Sequence, residues 1–282
     1  MIVIAHRGAS AYRPEHTLAA YELAIEMGAD FIEPDLVATR DGELVARHEN
    51  DVTQTTDVAS RPEFADRRAT RTIDGREHDG WFTEDFTLAE LRTLRATERI
   101  PDVRPANGAF DGRFTVPTLQ EVIDLARRAD VGIYPETKHP AYFRSLGLAL
   151  EEPLAAALRR NHLDRPDAPV FLQSFDPDSL RRLAALVGAP RVQLTAPSLP
   201  ALELEDVAGY AQAIGPEKRQ VSATFTGEAH RAGLLVHAWV FRPEDADTEA
   251  ELRRFMELGV DGVFADHPDT AVAVREAWAR GR

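Results

Sequence analysis

Short apolar segments alternate with segments of helical periodicity over most of the chain. The first apolar segment, residues 2–5, is followed by residues 17–27, whose apolar positions have helical spacing and end at Gly28. Alternation of strands and helices indicates a parallel sheet. The eight apolar segments that we predict as strands are residues 2–5, 31–37, 43–46, 132–135, 170–172, 192–194, 234–241 and 262–265.

Eight strand–helix units in a chain of 282 residues favour a closed (β/α)8 barrel of the TIM type. The alternative is an open doubly wound sheet, which commonly carries G-x-G-x-x-G or G-x-x-x-x-G-K-[ST] after a strand. Neither sequence follows a predicted strand in this chain. The predicted fold class is therefore α/β, with a barrel architecture.

One long polar segment interrupts the alternation after the third predicted strand. Residues 51–115 are rich in Thr, Asp and Arg, and only residues 88–94 look helical. Long segments of this kind are usually functional or disordered, and the scattered aromatic residues favour a folded lid or subdomain. We predict that residues 1–50 and 116–282 form the barrel and that residues 51–115 are an insertion.

Composition and charge exclude several classes of protein. The chain has no cysteine, which excludes a disulfide framework, a cysteine-based zinc site and a thiol nucleophile. Its formal net charge is −14 and it has no Lys/Arg-rich run, so nucleic acid and anionic membranes are not expected partners. We predict no membrane span, because no apolar run reaches about 18 residues. The sequence as it stands shows no signal peptide and predicts a cytoplasmic protein, with a periplasmic or secreted protein as the alternative if a leader has been removed.

Acidic residues cluster at the predicted carboxyl ends of neighbouring strands, where barrel enzymes place their active sites. Glu33 and Asp35 are two residues apart on one strand, so their side chains point to the same face. Glu136, at the end of the fourth predicted strand, would add a third carboxylate. Such crowding is costly without a cation and suggests a hard divalent ion, Ca²⁺ or Mg²⁺. The alternative is that Glu33 and Asp35 are ordinary salt-bridge partners on an exposed strand end.

Two histidines at strand ends are candidates for acid–base chemistry. His6 and His48 follow the first and third predicted strands, and histidine titrates near neutral pH. Arg7 could clamp a phosphate through its planar fork, or lie on the surface in a turn. Phe175 and Trp239 could form an apolar wall for a substrate, or pack in the core.

Motifs along almost the whole chain resemble glycerophosphodiester phosphodiesterases, and most closely the bacterial subfamily with a long insertion after the third strand. The combination of an H-R-G opening, E-x-D and a later histidine is much more specific than any one motif. The matching segments are Ala5-His6-Arg7-Gly8-Ala9-Ser10, Pro14-Glu15-His16-Thr17, Glu33-Pro34-Asp35, His48-Glu49-Asn50, Trp81-Phe82-Thr83-Glu84-Asp85, Glu136-Thr137-Lys138, Gln173-Ser174-Phe175 and Gly262-Val263-Phe264-Ala265-Asp266.

The resemblance implies a site at one end of a (β/α)8 barrel, with the insertion lying over the active face. One divalent ion is expected there, with Ca²⁺ favoured and Mg²⁺ as the alternative. The implied roles are metal ligation by Glu33, Asp35 and Glu136, acid–base catalysis by His6 and His48, phosphate binding by Arg7 and Lys138, and substrate contact by Gln173, Phe175 and Trp239.

The expected reaction is hydrolysis of a small glycerophosphodiester, such as glycerophosphocholine or glycerophosphoethanolamine, to glycerol 3-phosphate and an alcohol. Two other functions remain open from the sequence. A lipid-directed phospholipase on the same barrel would need an apolar or basic rim, which the acidic composition disfavours. A phosphate- or sugar-binding protein without catalysis would not need His6 and His48 together with three carboxylates. The sequence predicts nothing about oligomeric state.

Overall fold

A ring of parallel strands surrounded by helices forms the centre of the structure, a computed structural model that describes residues 1–281. The strands are β1 (Ile2–His6), β2 (Phe31–Glu33), β3 (Asp35–Ala38), β4 (Leu44–Ala46), β5 (Ala69–Ile73), β6 (Arg76–Gly80), β7 (Gly132–Ile133), β8 (Glu136–Thr137), β9 (Leu172–Ser174), β10 (Arg191–Thr195), β11 (Ala213–Pro216), β12 (Leu235–Phe241) and β13 (Gly262–Ala265). The helices are α1 (Leu18–Glu26), α2 (Leu88–Leu91), α3 (Leu119–Ala129), α4 (Pro140–Ser145), α5 (Glu151–Arg160), α6 (Pro177–Leu186), α7 (Leu204–Ala208), α8 (Ala223–Arg231), α9 (Thr248–Glu257) and α10 (Pro268–Arg280).

Parallel pairing closes the ring. β1 pairs with β2 on one side and with β13 on the other, and β9 to β13 follow one another in order. β2 and β3 are separated by Pro34, and β7 and β8 by Tyr134 and Pro135. Each of these two interrupted strands pairs with the other, through β2–β7 and β3–β8, and β8 then pairs with β9. Within residues 1–281 the ring therefore has eight positions, which confirms the predicted barrel fold.

The composition of the ring differs from the prediction in two strands. β4, predicted as the third barrel strand, pairs antiparallel with β3 and lies outside the ring. The reason is the short turn at Asp41-Gly42, where Gly42 has φ +81°, since Asp-Gly turns return the chain as a hairpin. The barrel's third position is β7–β8. Residues 51–115 therefore follow a hairpin that extends the second position.

The other difference is a strand–helix unit that the sequence pattern did not reveal. β11 has the sequence Ala-Ile-Gly-Pro, which combines a short apolar stretch with two residues that disfavour strands. The helix after it, α8, contains two threonines and a glycine, all weak helix formers. The predicted number of eight strands was thus right, although one strand was wrongly included and one was missed.

The segment 51–115 is folded around its aromatic residues. It contains the antiparallel hairpin β5–β6, the short helix α2 and several 3-10 turns. Phe64, Trp81 and Phe86 are buried, and the rings of Phe64 and Phe86 meet edge to face with centroids 5.0 Å apart. The Trp81 indole N–H donates to the carbonyl oxygen of Phe64 at 2.6 Å. The expectation of a folded rather than disordered segment agrees with this packing.

Side-chain caps fix where several helices begin. Thr118 and Glu121 form a reciprocal capping box at the start of α3. Asp176 caps α6, whose first residue is Pro177, a residue tolerated in the first helical turn. Among the helices of residues 1–281, none is long and apolar enough to cross a bilayer.

The floor of the barrel is aromatic and contains one buried histidine. The His237 Nδ1 and the Tyr134 hydroxyl are hydrogen-bonded at 2.6 Å, and the rings of Phe171 and Phe264 pack against this pair. Burial lowers the pKa of His237 from 6.5 to about 4. His237 therefore belongs to the packed floor of the barrel.

The buried His237 predicts a specific loss of stability in acid. Below pH 6.5 the unfolded chain binds a proton at this residue that the folded chain refuses until about pH 4. The free energy of unfolding should therefore fall as the pH falls through this window. Between pH 7 and pH 5 the wild type should lose about 2 kcal/mol more than a His237→Gln variant. Urea unfolding of both proteins at the two pH values checks this, and equal losses would contradict it.

Candidate active site

Three carboxylates converge at the carboxyl end of the barrel. Strand register places Asp35 beside Glu136, and Glu136 beside Gln173. Oxygen atoms of Glu33, Asp35 and Glu136 lie within 4.8 Å of one another, and all three side chains are buried. This burial does not fit the alternative of salt-bridge partners on an exposed strand end.

The protonation of these carboxylates reflects their crowding. Burial, with repulsion from Asp35 and Glu136, raises the pKa of Glu33 well above its usual range. Burial also raises the pKa of Glu136 to about 8. Although burial opposes ionisation of Asp35 as well, the nearby Lys138 and His16 hold the pKa of Asp35 well below its usual range. The buried Asp35 Oδ1 has no hydrogen-bond partner among residues 1–281, so the cluster has an unsatisfied acceptor that suits a cation.

The turn after β1 links this cluster to a guanidinium group. The Arg7 backbone N–H donates to Glu33 Oε2 at 2.9 Å, and Arg7 Nη1 donates to Glu15 Oε2 at 3.0 Å. Arg7 Nε lies 3.6 Å from Asp35 Oδ2. Gly8 follows with φ +87°, and a Cβ at this position would lie 2.7 Å from the carbonyl carbon of Ala20. The glycine of the H-R-G motif is thus required by both backbone conformation and space.

Each candidate acid–base histidine is held through Nδ1 by a carboxylate. His6 Nδ1 lies 2.6 Å from Asp266 Oδ1, and His48 Nδ1 lies 2.5 Å from Glu49 Oε1. A carboxylate at Nδ1 favours the tautomer with hydrogen on that nitrogen and leaves Nε2 for chemistry. Burial, reinforced by the charge of Arg7, lowers the pKa of His6 to about 4 and that of His48 to about 3. Both imidazoles are therefore neutral at pH 7 in the free protein.

Lys138 adds an ammonium group to the acidic cluster. Its Nζ lies 2.8 Å from Glu136 Oε1 and 5.8 Å from the centre of the Phe175 ring. The side chain is buried, and although burial opposes the charge, Glu136 and Asp35 raise the pKa of Lys138 above its usual value. The ammonium is therefore charged at pH 7.

A cavity of about 470 Å³ brings nearly all the predicted site residues together. Gln173 Nε2 donates to Glu33 Oε1 at 2.7 Å, and the rings of Phe175 and Trp239 meet edge to face at 5.6 Å. Asp35 is buried and is not one of the residues that line the cavity. The predicted residues that line it are His6, Arg7, Glu33, His48, Glu136, Lys138, Gln173, Phe175 and Trp239.

Several residues of the site had no role in the sequence prediction. His16 is fully buried, and its Nε2 is hydrogen-bonded to Asp35 Oδ2 at 2.9 Å. Glu49 and Asp266 hold the two histidines. All three lie within the motifs that resemble the phosphodiesterase family, so the sequence could have identified them as candidate site residues. Arg76, from the β5–β6 hairpin, also lines the cavity, and its position in a polar segment gave no such signal.

Comparison with known proteins identifies the family. A sequence model of the Glycerophosphoryl diester phosphodiesterase family matches residues 6–270. The chain belongs to this family. A glycerophosphodiester phosphodiesterase of Arabidopsis thaliana is 33% identical, covering 93% of this chain and 82% of its own length. One of Bacillus subtilis is 33% identical, covering 99% of this chain and 87% of its own length.

Solved structures share the fold of this phosphodiesterase family member. A protein from Silicibacter pomeroyi has a TM-score of 0.79 at 24% identity, over 99% of this chain and 94% of that one. A phosphodiesterase of Oleispira antarctica, solved with the product sn-glycerol-3-phosphate, has a TM-score of 0.74 at 23% identity. That match covers 98% of this chain and 97% of the other.

The close approach at Gly8 gives a stability prediction with a matched control. Gly8→Ala should lose about 1–2 kcal/mol from the positive φ and about 1–3 kcal/mol more from overpacking against Ala20. Gly42 has φ +81° but nothing within 4 Å of its Cβ position, so Gly42→Ala should lose only the first amount. Denaturant unfolding of both variants measures the difference. Equal losses would show that the contact with Ala20 relaxes freely.

Proposed function

We propose that this phosphodiesterase hydrolyses small glycerophosphodiesters, such as glycerophosphocholine and glycerophosphoethanolamine, to glycerol 3-phosphate and an alcohol. Membership of the family supports glycerophosphodiester phosphodiesterase activity. The observation that carries the mechanism is one cavity in which a buried carboxylate cluster faces two imidazoles, each held through Nδ1. The sn-glycerol-3-phosphate bound to the Oleispira antarctica phosphodiesterase supports a substrate of this size.

The acidic cluster would hold one divalent ion. Glu33, Asp35 and Glu136 offer oxygen ligands only, which suits a hard cation, and we propose Ca²⁺, with Mg²⁺ as the alternative. When bound, the ion neutralises charge on the phosphodiester. Arg7 and Lys138 flank the cluster and would bind the remaining phosphate oxygens.

The two histidines would move the protons of the reaction. An oxygen nucleophile forms a new bond to phosphorus while the bond from phosphorus to the leaving alcohol oxygen breaks. One of His6 and His48 accepts the proton of the nucleophile, and the other donates a proton to the leaving oxygen. The free protein keeps both imidazoles neutral partly through Arg7. An anionic substrate that engages Arg7 would offset this effect and favour protonation of the histidine that acts as the acid.

The remaining cavity residues would shape the substrate site. Phe175 and Trp239 form an apolar wall, and Gln173 lies beside them, bonded to Glu33. We propose that residues 51–115 are an insertion over the carboxyl face of a barrel made of residues 1–50 and 116–282. The presence of Arg76 in the cavity lining supports this arrangement.

Metal dependence is the first test of this mechanism. Activity on glycerophosphocholine should vanish in excess EDTA and return with Ca²⁺ or Mg²⁺. Glu136→Gln, which keeps the shape of the side chain, should weaken Ca²⁺ binding at least about tenfold by calorimetry, because it removes a charged ligand. Glu22→Gln, on the exposed face of α1, is the matched control and should bind Ca²⁺ normally. Full activity in EDTA after exhaustive dialysis would rule out the metal.

Acid–base catalysis by the two histidines is tested by alanine substitution. His6→Ala and His48→Ala should each lower kcat by about 10²–10⁴-fold, the usual effect of losing a general acid or base. His162→Asn, at an exposed position, is the control and should keep wild-type turnover. Thermal melts confirm that the variants fold. Near-normal turnover in either alanine variant would remove that histidine from the mechanism.

A further inference from the structure

Each of the two histidines belongs to a chain of contacts that ends at an arginine of the segment 51–115. For His6, the intermediate carboxylate is Asp266. Asp266 Oδ1 contacts His6 Nδ1 at 2.6 Å, and Asp266 Oδ2 accepts from Arg104 Nη2 at 2.5 Å. The side chains of Arg104 and Asp266 are only 9% and 4% exposed, so solvent does little to weaken this pairing.

His48 likewise contacts a carboxylate that is bound by an arginine. Glu49 Oε1 contacts His48 Nδ1 at 2.5 Å, and the two Glu49 oxygens accept from Arg99 Nη1 and Nη2 at 2.9 Å and 2.6 Å. This is a bidentate pair, the strongest geometry that arginine makes with a carboxylate. The contacts of the two histidines thus lead to two arginines that are five residues apart in the sequence.

Both arginines also contact a second carboxylate, which fixes their planar groups. Arg99 donates to the two oxygens of Glu15 at 2.9 Å and 2.7 Å. Arg104 donates to the two oxygens of Glu244 at 2.8 Å and 3.0 Å, and its Nη1 donates to the backbone oxygen of Ser10. A guanidinium held by two carboxylates has little freedom to rotate away from either.

The segment that carries the arginines is itself anchored. Glu98 accepts from the backbone N–H of Ile100 at 3.0 Å and from Asn107 Nδ2 at 2.8 Å. The Glu98 backbone N–H donates to Asp111 Oδ1 at 2.7 Å. Asn107 Nδ2 also donates to the backbone carbonyl oxygen of Ser10 at 3.1 Å. These bonds close the loop around both arginines and tie it to the turn after β1. The loop is therefore placed by the barrel and in turn places Arg99 and Arg104.

We propose that Arg99 and Arg104 are positioning residues of the reaction, acting on His48 through Glu49 and on His6 through Asp266. The inference rests on the proposed acid–base role of the two histidines. Asp266 is buried and Glu49 is partly exposed. Without its arginine, each carboxylate loses a cation that offsets its charge and one of the groups that orient it, although Arg242 Nε remains 3.7 Å from Asp266 Oδ2. The imidazole that this carboxylate holds then loses its fixed orientation, and kcat falls. Residues 51–115 would thus contribute to catalysis as well as to the cavity wall.

The test measures kcat for Arg104→Gln and Arg99→Gln at saturating glycerophosphocholine and Ca²⁺. Each substitution should lower kcat by about 10–100-fold, as is typical when a group that orients a site residue is removed. The affinity for glycerol 3-phosphate, measured by calorimetry, should change less than about twofold for Arg104→Gln. Arg68→Gln is the matched control, because Arg68 also makes a bidentate pair, with Asp79, but on an exposed hairpin. It should leave kcat unchanged.

A double-mutant cycle separates positioning from a general structural effect. In a His6→Ala background, Arg104→Gln should cause no further loss of kcat, because the group through which it acts is gone. In a His48→Ala background, the full loss from Arg104→Gln should remain. Arg99→Gln should show the opposite pattern. Saturating substrate is needed for Arg99, because Glu15 also links it to Arg7, and a change at Arg7 would appear in KM.

The outcomes distinguish this inference from the mechanism on which it rests. If His6→Ala and His48→Ala keep normal turnover, the acid–base assignment fails. If they lose turnover but the arginine variants do not, or if Arg104→Gln causes the same further loss in both alanine backgrounds, only the positioning role fails. Should a glutamine variant not fold, Arg104→Lys and Arg99→Lys keep the charge but lose the planar fork. The same cycle with the lysine variants then decides.

Discussion

Repulsion among three buried carboxylates is the constraint around which the end of the barrel is organised. Oxygens of Glu33, Asp35 and Glu136 lie within 4.8 Å in a setting where charge is poorly screened. Lys138 and His16 hold the pKa of Asp35 well below its usual range, whereas burial raises the pKa of Glu136 to about 8. The positive charge around the cluster is therefore insufficient for three carboxylates, and the missing charge is what a divalent ion would supply. The surrounding side chains are arranged to donate hydrogen bonds to this cluster or to contribute charge.

The carboxylates that contact the two histidines also need nearby positive charge. Asp266 and Glu49 contact the two imidazoles, and each brings a negative charge to the site, from a buried position for Asp266 and a partly exposed one for Glu49. Arg104 and Arg99 meet that need from a segment that lies outside the ring of strands. A segment that only covered the cavity would not have to bring cations to these two carboxylates. On the proposed mechanism, residues 51–115 and the ring of strands therefore act together in catalysis.

The sequence predicted the barrel and most of the cavity because both depend on local patterns. Strand ends can be read from short apolar segments, and parallel strands bring their carboxyl ends to one face, which places His6 in the cavity wall. The sequence prediction failed where a strand or contact is defined by a distant pairing partner and not by its own local sequence. β4 has the composition of a barrel strand and is turned outward only by its hairpin, and β11 is recognisable only by its neighbours. The Arg104–Asp266 contact joins residues 162 positions apart, and one arginine among many gives no local signal of its partner.

The two lysines of this arginine-rich chain have similar surroundings. Lys138 lies between Glu136 and the Phe175 ring, and Lys218 lies between acidic residues and the Phe241 ring, 5.4 Å from its centre. Both side chains are largely buried, at 9% and 16% exposure. Burial beside an aromatic ring and acidic residues is thus common to both lysines. The presence of lysine at position 138 therefore does not by itself indicate phosphate binding. What distinguishes Lys138 is its place in the cavity wall, where its charge acts on Asp35 and Glu136 together.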